Sequence, residues 1–545
     1  MRVVIIGGVA GGMSTAARLR RLDDEAQIIV LERSSYVSYA NCGLPYFVGG
    51  VIEDESSLIL QTPTSLYERF RIDVRVDYEA LRIDPRRREV VVKNRSTDEV
   101  DVVAYDVAVL SPGASPIIPP IEGIERAFVL RNVEDVERIV ADVASLPSTA
   151  VVIGGGFIGV ELAENLTARG IRVSIVEASP QVLAPLDPEM AEIVATELGA
   201  HGVALHVNDA VVHVGDDHVQ LASGIRLSAE MVIVAIGVRP DVGLARDAGL
   251  VIGDRGGIVV DDFQRTSDPT IYAVGDAVEK RDALDSRATL VPLANIANRQ
   301  GRVVADHIAG RTVRPVPSIG TAIVRVFDLT VATTGWNEKR LRDAGRDFIA
   351  IHTHPFSHAT YFPGARPMSL KLLVDPVSER ILGAQGIGGD GVDKRIDVLA
   401  TSIRAGLRAP ALADLELAYA PPFGSAKDPV NMLGYIAEDR LSGLAQVVQW
   451  DEIGRLDGGQ VIDVRSNEEF LEGALPGAVN IPLDQLRDRL DDVVSREVVV
   501  YCQVGQRGHV AALLLSQLGF HARNLDGGYE TWRNSPVSRQ LVTSR

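Results

Sequence analysis

Two stretches of this chain repeat one plan, and no other feature restricts the fold as much. The first runs from an apolar strand, VVIIGG, through a glycine-rich turn into a helix, GGMSTAARLRRL, and on to a second apolar strand, QIIVLE, that ends in Glu32. The second, TAVVIGGGFIGVELAENLTARGIRVSIVE at 149–177, returns to strand, glycine turn, helix, strand and terminal acid. Strands that are apolar at every position, rather than at alternate ones, belong in a parallel sheet covered on both faces. A glycine turn at the strand–helix junction lets the backbone approach a pyrophosphate and aims the helix N-terminus at its negative charge. The acid closing the second strand accepts hydrogen bonds from ribose hydroxyls. Two such units predict an α/β chain with two Rossmann-like dinucleotide-binding domains.

The second unit meets every position of the pattern with Gly154, Gly156, Gly159 and Glu177. Glu177 repels a 2′-phosphate and the following Ala-Ser-Pro offers no arginine to hold one, so NADH is expected over NADPH. The first unit has Gly7 and Gly12 but Val9 at the middle glycine position. Glu32 and a later strand ending in Gly275-Asp276 (TIYAVGDA) complete it, because a flavin dinucleotide also needs a carboxylate near its ribityl chain and second phosphate. FAD is therefore expected there. Arg33, Gly113 and Gly237 complete the candidate cofactor set.

One dinucleotide domain interrupted by another gives the expected order. The FAD-binding domain takes 1–113 and 246–320, the NAD(P)H-binding domain 114–245, and an α+β domain 321–442. A linker at 443–455 then leads to a C-terminal α/β domain at 456–545. The Pro- and Gly-rich run SPGASPIIPPIEGIE at 111–125 reads as an interdomain connection. A net charge of −18 argues against nucleic acid as the main partner. No run of 18 apolar residues suggests a membrane span, and the N-terminus lacks the pattern of a secretory signal. Two cysteines, Cys42 and Cys502, are too few for a disulfide framework, and a reducing cytoplasm is the expected location.

Cys42 lies in YVSYANCGLPYFVGG, just before a short helix, where a helix N-terminus would lower the thiol pKa. This segment, the paired nucleotide motifs, TIYAVGDA, and AYAPPFGSAKDPVNM near 419–432 together resemble the pyridine nucleotide–disulfide oxidoreductase superfamily, in particular its coenzyme A-disulfide reductase branch. Glutathione reductase-like relatives carry a Cys-x4-Cys pair, but position 47 here is Phe47. Cys42 is therefore expected to pair with a bound small thiol, a second sulfur atom or oxygen. The resemblance implies a mixed disulfide with coenzyme A, or a persulfide, reduced by hydride passed from NADH through FAD. It also assigns coenzyme A contacts to Ser14, Arg18 and Arg21 on the first helix, to Ser38 and Asn41 beside the thiol, and to Lys427. A lysine of the branch is replaced by Phe70, between Arg69 and Arg71. Tyr361 and Tyr419 match tyrosines that reach the substrate sulfur from the other subunit, which implies a homodimer, and the resemblance assigns 321–442 the role of dimerisation domain. His352, His354 and His358 have a spacing that could suggest a metal, but no cysteine or carboxylate cluster accompanies them in the sequence, so no metal is expected.

The C-terminal segment, VIDVRSNEEFLEGALPGAVNIPL followed by VVVYCQVGQRGHVAALLLSQLGF and LDGGYETW, resembles a single rhodanese domain. The resemblance makes Cys502 to Arg507 the active-site loop, with the helix starting near Gly508 and Asp463 and Arg465 fixing the loop. Ala474-Leu475 stands where rhodaneses often have His-Ile. The two thiols together suggest a reductase of coenzyme A persulfide, polysulfide or coenzyme A disulfide, with Cys502 handling sulfane sulfur. The alternatives are an NADH oxidase or peroxidase cycling Cys42 through sulfenic acid, or a C-terminal domain that only docks or carries sulfur. Peroxidase relatives carry a histidine in the first glycine loop, where this chain has Val9-Ala10.

Overall fold

A computed structural model describes residues 1–315, 317–455 and 458–538. Both ends of the segment assigned to the C-terminal domain, 456–457 and 539–545, lie outside the described residues. The chain divides into two compact units, Met1–Pro180 with Gly202–Ser318, and Gln181–His201 with Ile319–Arg545.

The first unit holds both repeats. Strand Arg2–Ile6 is central in a five-stranded parallel sheet, flanked by Gln27–Leu31 and Val107–Leu110, with Ile72–Arg75 and Ile271–Ala273 at the edges. The strand is buried from Val3 to Ile6, as expected for a strand covered on both faces. Helix Ala10–Arg20 packs on Ala294–Ile308 so closely that a Cβ on Gly301 would stand 2.5 Å from the Gly11 carbonyl oxygen. A second parallel sheet, Ala204–Val207, Arg172–Glu177, Thr149–Ile153, Met231–Val234 and Phe128–Val129, is inserted between strands Val107–Leu110 and Ile271–Ala273 of the first. An antiparallel pair, Ala114–Pro116 with Val238–Pro240, marks where the chain crosses between the two sheets and back.

The second unit contains an antiparallel sheet ordered Ala322–Val326, Leu329–Gly335, Ile381–Gly388, Met368–Val374 and Ile349–Thr353. It also contains a parallel sheet ordered Val447–Val448, His521–Leu525, Glu497–Tyr501, Gln460–Asp463 and Val479–Asn480. Strand Val447–Val448 falls within the stretch expected to be a linker, because a two-residue edge strand is too short to show a period in the sequence. Helix Pro188–Ala200, from the stretch read as nucleotide-binding, belongs to this unit.

The helix is held by charge. Lys371 is fully buried, and its ammonium lies 2.9 Å from Asp187, 2.5 Å from Glu189 and 2.6 Å from Glu338. Burial disfavours the charged lysine, but the three carboxylates outweigh it and raise its pKa. His352, also buried, bridges Glu189 at 3.0 Å and Asp526 at 2.7 Å. Burial alone would lower its pKa; hydrogen bonds to Asp526 and Glu189 outweigh burial and raise it to about 9. The expectation that no carboxylates accompany these histidines is thus corrected for His352, because the fold brings Glu189 and Asp526 to it from distant segments. His354 is bonded to the hydroxyls of Ser369 and Thr531, and burial lowers its pKa to about 4. His358 faces the Ala359 carbonyl.

Removing one partner from a buried ionic cluster leaves the others uncompensated. Lys371→Met should therefore lower unfolding free energy by about 3–5 kcal/mol, measured by denaturant titration. His352 carries a raised pKa, so the stability it contributes is complete below its ordinary pKa and is lost as pH rises through about 9. Unfolding midpoints should fall between neutral pH and pH 10 in the native chain and fall less in His352→Asn.

Candidate active sites

The two glycine turns have the same geometry. Gly7 (φ +104°) and Gly154 (φ +111°) adopt a backbone open to glycine, and a Cβ on either would collide with a neighbouring carbonyl. A Cβ on Gly12 would lie 1.9 Å from the Gly7 oxygen, and one on Gly159 would lie 2.0 Å from that of Gly154. These four glycines are therefore required by helix–strand packing. Gly156 and Gly113 have nothing within 4 Å of an added Cβ, so packing does not explain them; open space there suits a pyrophosphate. Gly237 and Gly275 both adopt positive φ, at strand ends bordering the turns.

The two acids are likewise equivalent. Glu32 accepts from Gly8 N at 2.7 Å and Ser34 N at 2.9 Å, while Glu177 accepts from Gly155 N at 2.7 Å and Ser179 N at 2.8 Å. Each carboxylate is anchored at the mouth of its turn, where ribose hydroxyls would reach it. Arg33 lies 3.6 Å from Asp241, beside Arg131. Asp276 follows Gly275, whose amide donates to Gln300, and burial raises its pKa against the pull of Lys280.

Cys42 lies in a 3₁₀ turn, Asn41–Gly43, that runs into helix Leu44–Val48. That helix packs against Phe157–Ala168, the helix after the second glycine turn, and a Cβ on Gly49 would overlap Asn165. Tyr46 donates to Glu161 at 3.2 Å, which brings a carboxylate towards the thiol. Cys42 is exposed at the surface, yet the protein packed around it raises its pKa, and Glu161 and Asp276 add to the rise. The expected lowering is therefore corrected: a five-residue helix behind a 3₁₀ turn has little dipole to offer, and two carboxylates oppose it. Burial also raises Glu161 itself to about 7. Ser38, four residues before the thiol, is held at φ +53° with its amide donating to Gly8 O at 2.8 Å. Asn41 is exposed beside Cys42.

Cys502 is buried at the end of strand Glu497–Tyr501, and helix Gln506–Gln517 begins after Gly505 (φ +89°). Arg507 is thus the helix's second residue, since the helix starts two residues before Gly508. Arg465 grips Asp463 at 2.7 Å and donates to Gln503 at 3.0 Å and to the Gly473 carbonyl at 2.5 Å. Backbone amides of Tyr529 and Glu530 donate to the Cys502 and Gln503 carbonyls, each at 2.8 Å. Gly528 is needed there, since its Cβ would lie 2.4 Å from the Cys502 oxygen. The Arg507 guanidinium donates two bonds of 2.7 and 2.6 Å to the Glu469 carboxylate, which raise its pKa with a further contribution from Cys502.

The sequence profile of the pyridine nucleotide-disulphide oxidoreductases matches residues 1–301, that of their dimerisation domain matches 321–429, and that of rhodanese-like domains matches 449–535. The chain belongs to the pyridine nucleotide-disulphide oxidoreductase family. It is 34% identical over 439 residues to a coenzyme A disulfide reductase of Staphylococcus aureus (strain bovine RF122 / ET3-1), which covers 80% of this chain and 100% of the relative. The crystal structure of reduced Bacillus anthracis CoADR-RHD aligns with a TM-score of 0.97 at 48% identity, over 99% of this chain and 98% of the other. A NAD-dependent persulfide reductase from A. fulgidus aligns with a TM-score of 0.92 at 38% identity, over 98% and 100%.

In this pyridine nucleotide-disulphide oxidoreductase the remaining candidates fall into two groups. In the first unit, Ser14 donates to Asn298 at 2.8 Å and Arg18 is bound by Asp306 at 2.6 Å, while Arg21 lies exposed just beyond the helix. Arg20, buried between them in sequence, donates to the Phe70 carbonyl at 2.7 Å and so fixes the segment that carries Arg69 and Arg71. In the second unit, Tyr361 and Tyr419 are exposed with hydroxyls 2.8 Å apart, and Lys427 is exposed just before the cap of helix Pro429–Leu441. Glu161 and Glu469 escape a motif-based reading. The signals that could have found them are an acid set within the apolar run FIGVELA and the Ser466-x-x-Glu469 capping pattern. With Glu161 neutralised, the Cys42 pKa should fall. Glu161→Gln should then raise the alkylation rate of the Cys42 peptide about three- to tenfold at about pH 8, read by mass spectrometry, following the thiolate fraction.

Proposed function

We propose that this chain is an FAD-linked, NADH-dependent reductase of sulfur–sulfur bonds that acts on coenzyme A persulfide, polysulfide or coenzyme A disulfide through Cys42, with Cys502 handling sulfane sulfur. The observation that carries the reading is a single thiol in a turn packed on the second nucleotide-binding helix, with Phe47 where a partner cysteine would stand. Likeness to a coenzyme A disulfide reductase and to a NAD-dependent persulfide reductase supports the substrate class. Bound FAD would supply the relay that accepts hydride from NADH and passes an electron pair to sulfur.

The residues of the chain account for the rest. The Cys42 thiolate attacks the inner sulfur of coenzyme A persulfide, so that a Cys42–coenzyme A disulfide forms and hydrosulfide leaves. Two electrons originating in NADH then break that bond and return Cys42 and the coenzyme A thiolate. With coenzyme A disulfide the leaving group is a second coenzyme A thiolate. Arg18, Arg21, Ser14, Ser38, Asn41 and Lys427 are assigned to coenzyme A, and the joined Tyr361 and Tyr419 hydroxyls to the sulfur of a partner subunit's site. Glu177, followed by Ala178-Ser179-Pro180, favours NADH over its phosphorylated form.

A homodimer is part of the proposal. The matched dimerisation domain and the exposed aromatic side chains of Phe356, Tyr361, Phe362, Tyr419 and Phe423 support it. No described helix is long and apolar enough to cross a membrane. A cytoplasmic location fits two cysteines kept as free thiols. Cys42→Ser should abolish NADH-dependent turnover of coenzyme A disulfide and coenzyme A persulfide while leaving bound flavin detectable by its absorbance. Turnover retained by that variant would overturn the mechanism.

A further inference from the structure

The surroundings of Cys502 are electrically balanced in a way that bears on which sulfur donor it can accept. Three guanidinium groups are tied to its loop, and each faces a carboxylate. Arg465 is committed to Asp463, Gln503 and the Gly473 carbonyl. Arg533 donates to Glu530 at 2.6 Å, and the same Glu530 accepts from Gln503 at 2.9 Å. Arg507, the cation beside the sulfur, spends two of its N–H groups on Glu469. The only histidine on the helix that follows, His509, stands 3.6 Å from Asp439.

Glu469 is well placed to stay charged. It is half-buried, it also accepts from Ser466 N at 2.9 Å, and the bonds from Arg507 lower its pKa to about 2. A planar guanidinium held by both oxygens of one carboxylate has little attraction left for a second anion.

Resting on the reading that Cys502 accepts sulfane sulfur, we propose that Glu469 sets the donor specificity of this site. By neutralising Arg507 it turns Cys502 away from the dianion thiosulfate and towards organic persulfides, whose reacting end carries a single negative charge at most. In both reactions the Cys502 thiolate attacks the outer sulfur, the donor's sulfur–sulfur bond breaks, and Cys502 becomes a persulfide. The electron pair leaves with sulfite in the first case and with an organic thiolate in the second, so neither reaction needs an external oxidant or reductant. Thiosulfate brings two negative charges directly to a thiolate. It needs an uncompensated cation at the loop, and Glu469 has taken that cation.

The test compares full-length protein and Glu469→Gln, with thiosulfate and coenzyme A persulfide as donors and cyanide as acceptor. The glutamine keeps an oxygen to accept from Ser466 N, so the helix cap survives. The ratio of kcat/KM for thiosulfate to that for coenzyme A persulfide should rise about tenfold, the scale for removing one unit charge beside a half-buried dianion. The thiosulfate KM should also become more sensitive to added salt. In Glu469→Gln/Arg507→Gln the gain should vanish, because the freed cation is gone. An unchanged or lower ratio in Glu469→Gln, or a gain that persists in the double variant, would overturn the proposal. If neither donor leaves a persulfide on Cys502 by mass spectrometry, and Cys502→Ser makes no difference, the reading of Cys502 as a sulfur acceptor fails and the specificity proposal falls with it.

Discussion

The carbonyl oxygens of Gly7 and Gly154 lie about 2 Å from where a side chain on Gly12 or Gly159 would begin. This close approach of a helix to the strand before it is the constraint on which the first unit depends. It forces glycine at four positions, sets the direction in which each helix leaves its sheet, and so brings each helix N-terminus to the mouth of its turn. Because the constraint is met twice, Glu32 and Glu177 end in equivalent places with the same two backbone donors. The insertion of one sheet between two strands of the other then puts the helix that carries Gly159 against the short helix that follows Cys42. Two binding motifs thereby become one candidate redox site.

Charge is arranged differently around the two thiols. Cys42 has carboxylates near it, Glu161 and Asp276, and these with the protein packed around it favour the neutral thiol in the protein alone. A ligand or cofactor that brings positive charge or hydrogen bonds to the thiolate would lower the Cys42 pKa. Cys502 sits in a loop held by guanidinium–carboxylate pairs and backbone bonds. In the second unit the same device serves structure. Lys371 and His352, with Asp187, Glu189, Glu338 and Asp526, tie a helix, the antiparallel sheet and the turn behind Cys502 into one ionic core.

The nucleotide turns, both thiols and the rhodanese-like loop are legible in the sequence because each is a contiguous motif whose chemistry follows from local backbone geometry. The strand at 447–448 is not legible, since two residues cannot display a period and their pairing with His521–Leu525 is made across the sheet. A helix following a cysteine predicts a lowered pKa for Cys42. That expectation fails because helix length, the protein packed around the thiol and the approach of Glu161 and Asp276 decide the outcome, and none of them is written in the residues around position 42.

The sequence by itself determined the classes of chemistry: two dinucleotide sites, a lone thiol with no neighbour at position 47, and a second thiol in a six-residue loop. Short motifs act through the few residues they contain, so their meaning survives without knowledge of the rest. Tertiary structure alone decided the partners: Glu161 for Cys42, Glu469 for Arg507, and Asp526 for His352, which lies 174 positions away. Electrostatic coupling depends on distance and on exclusion of water, and both are set by folding rather than by separation along the chain.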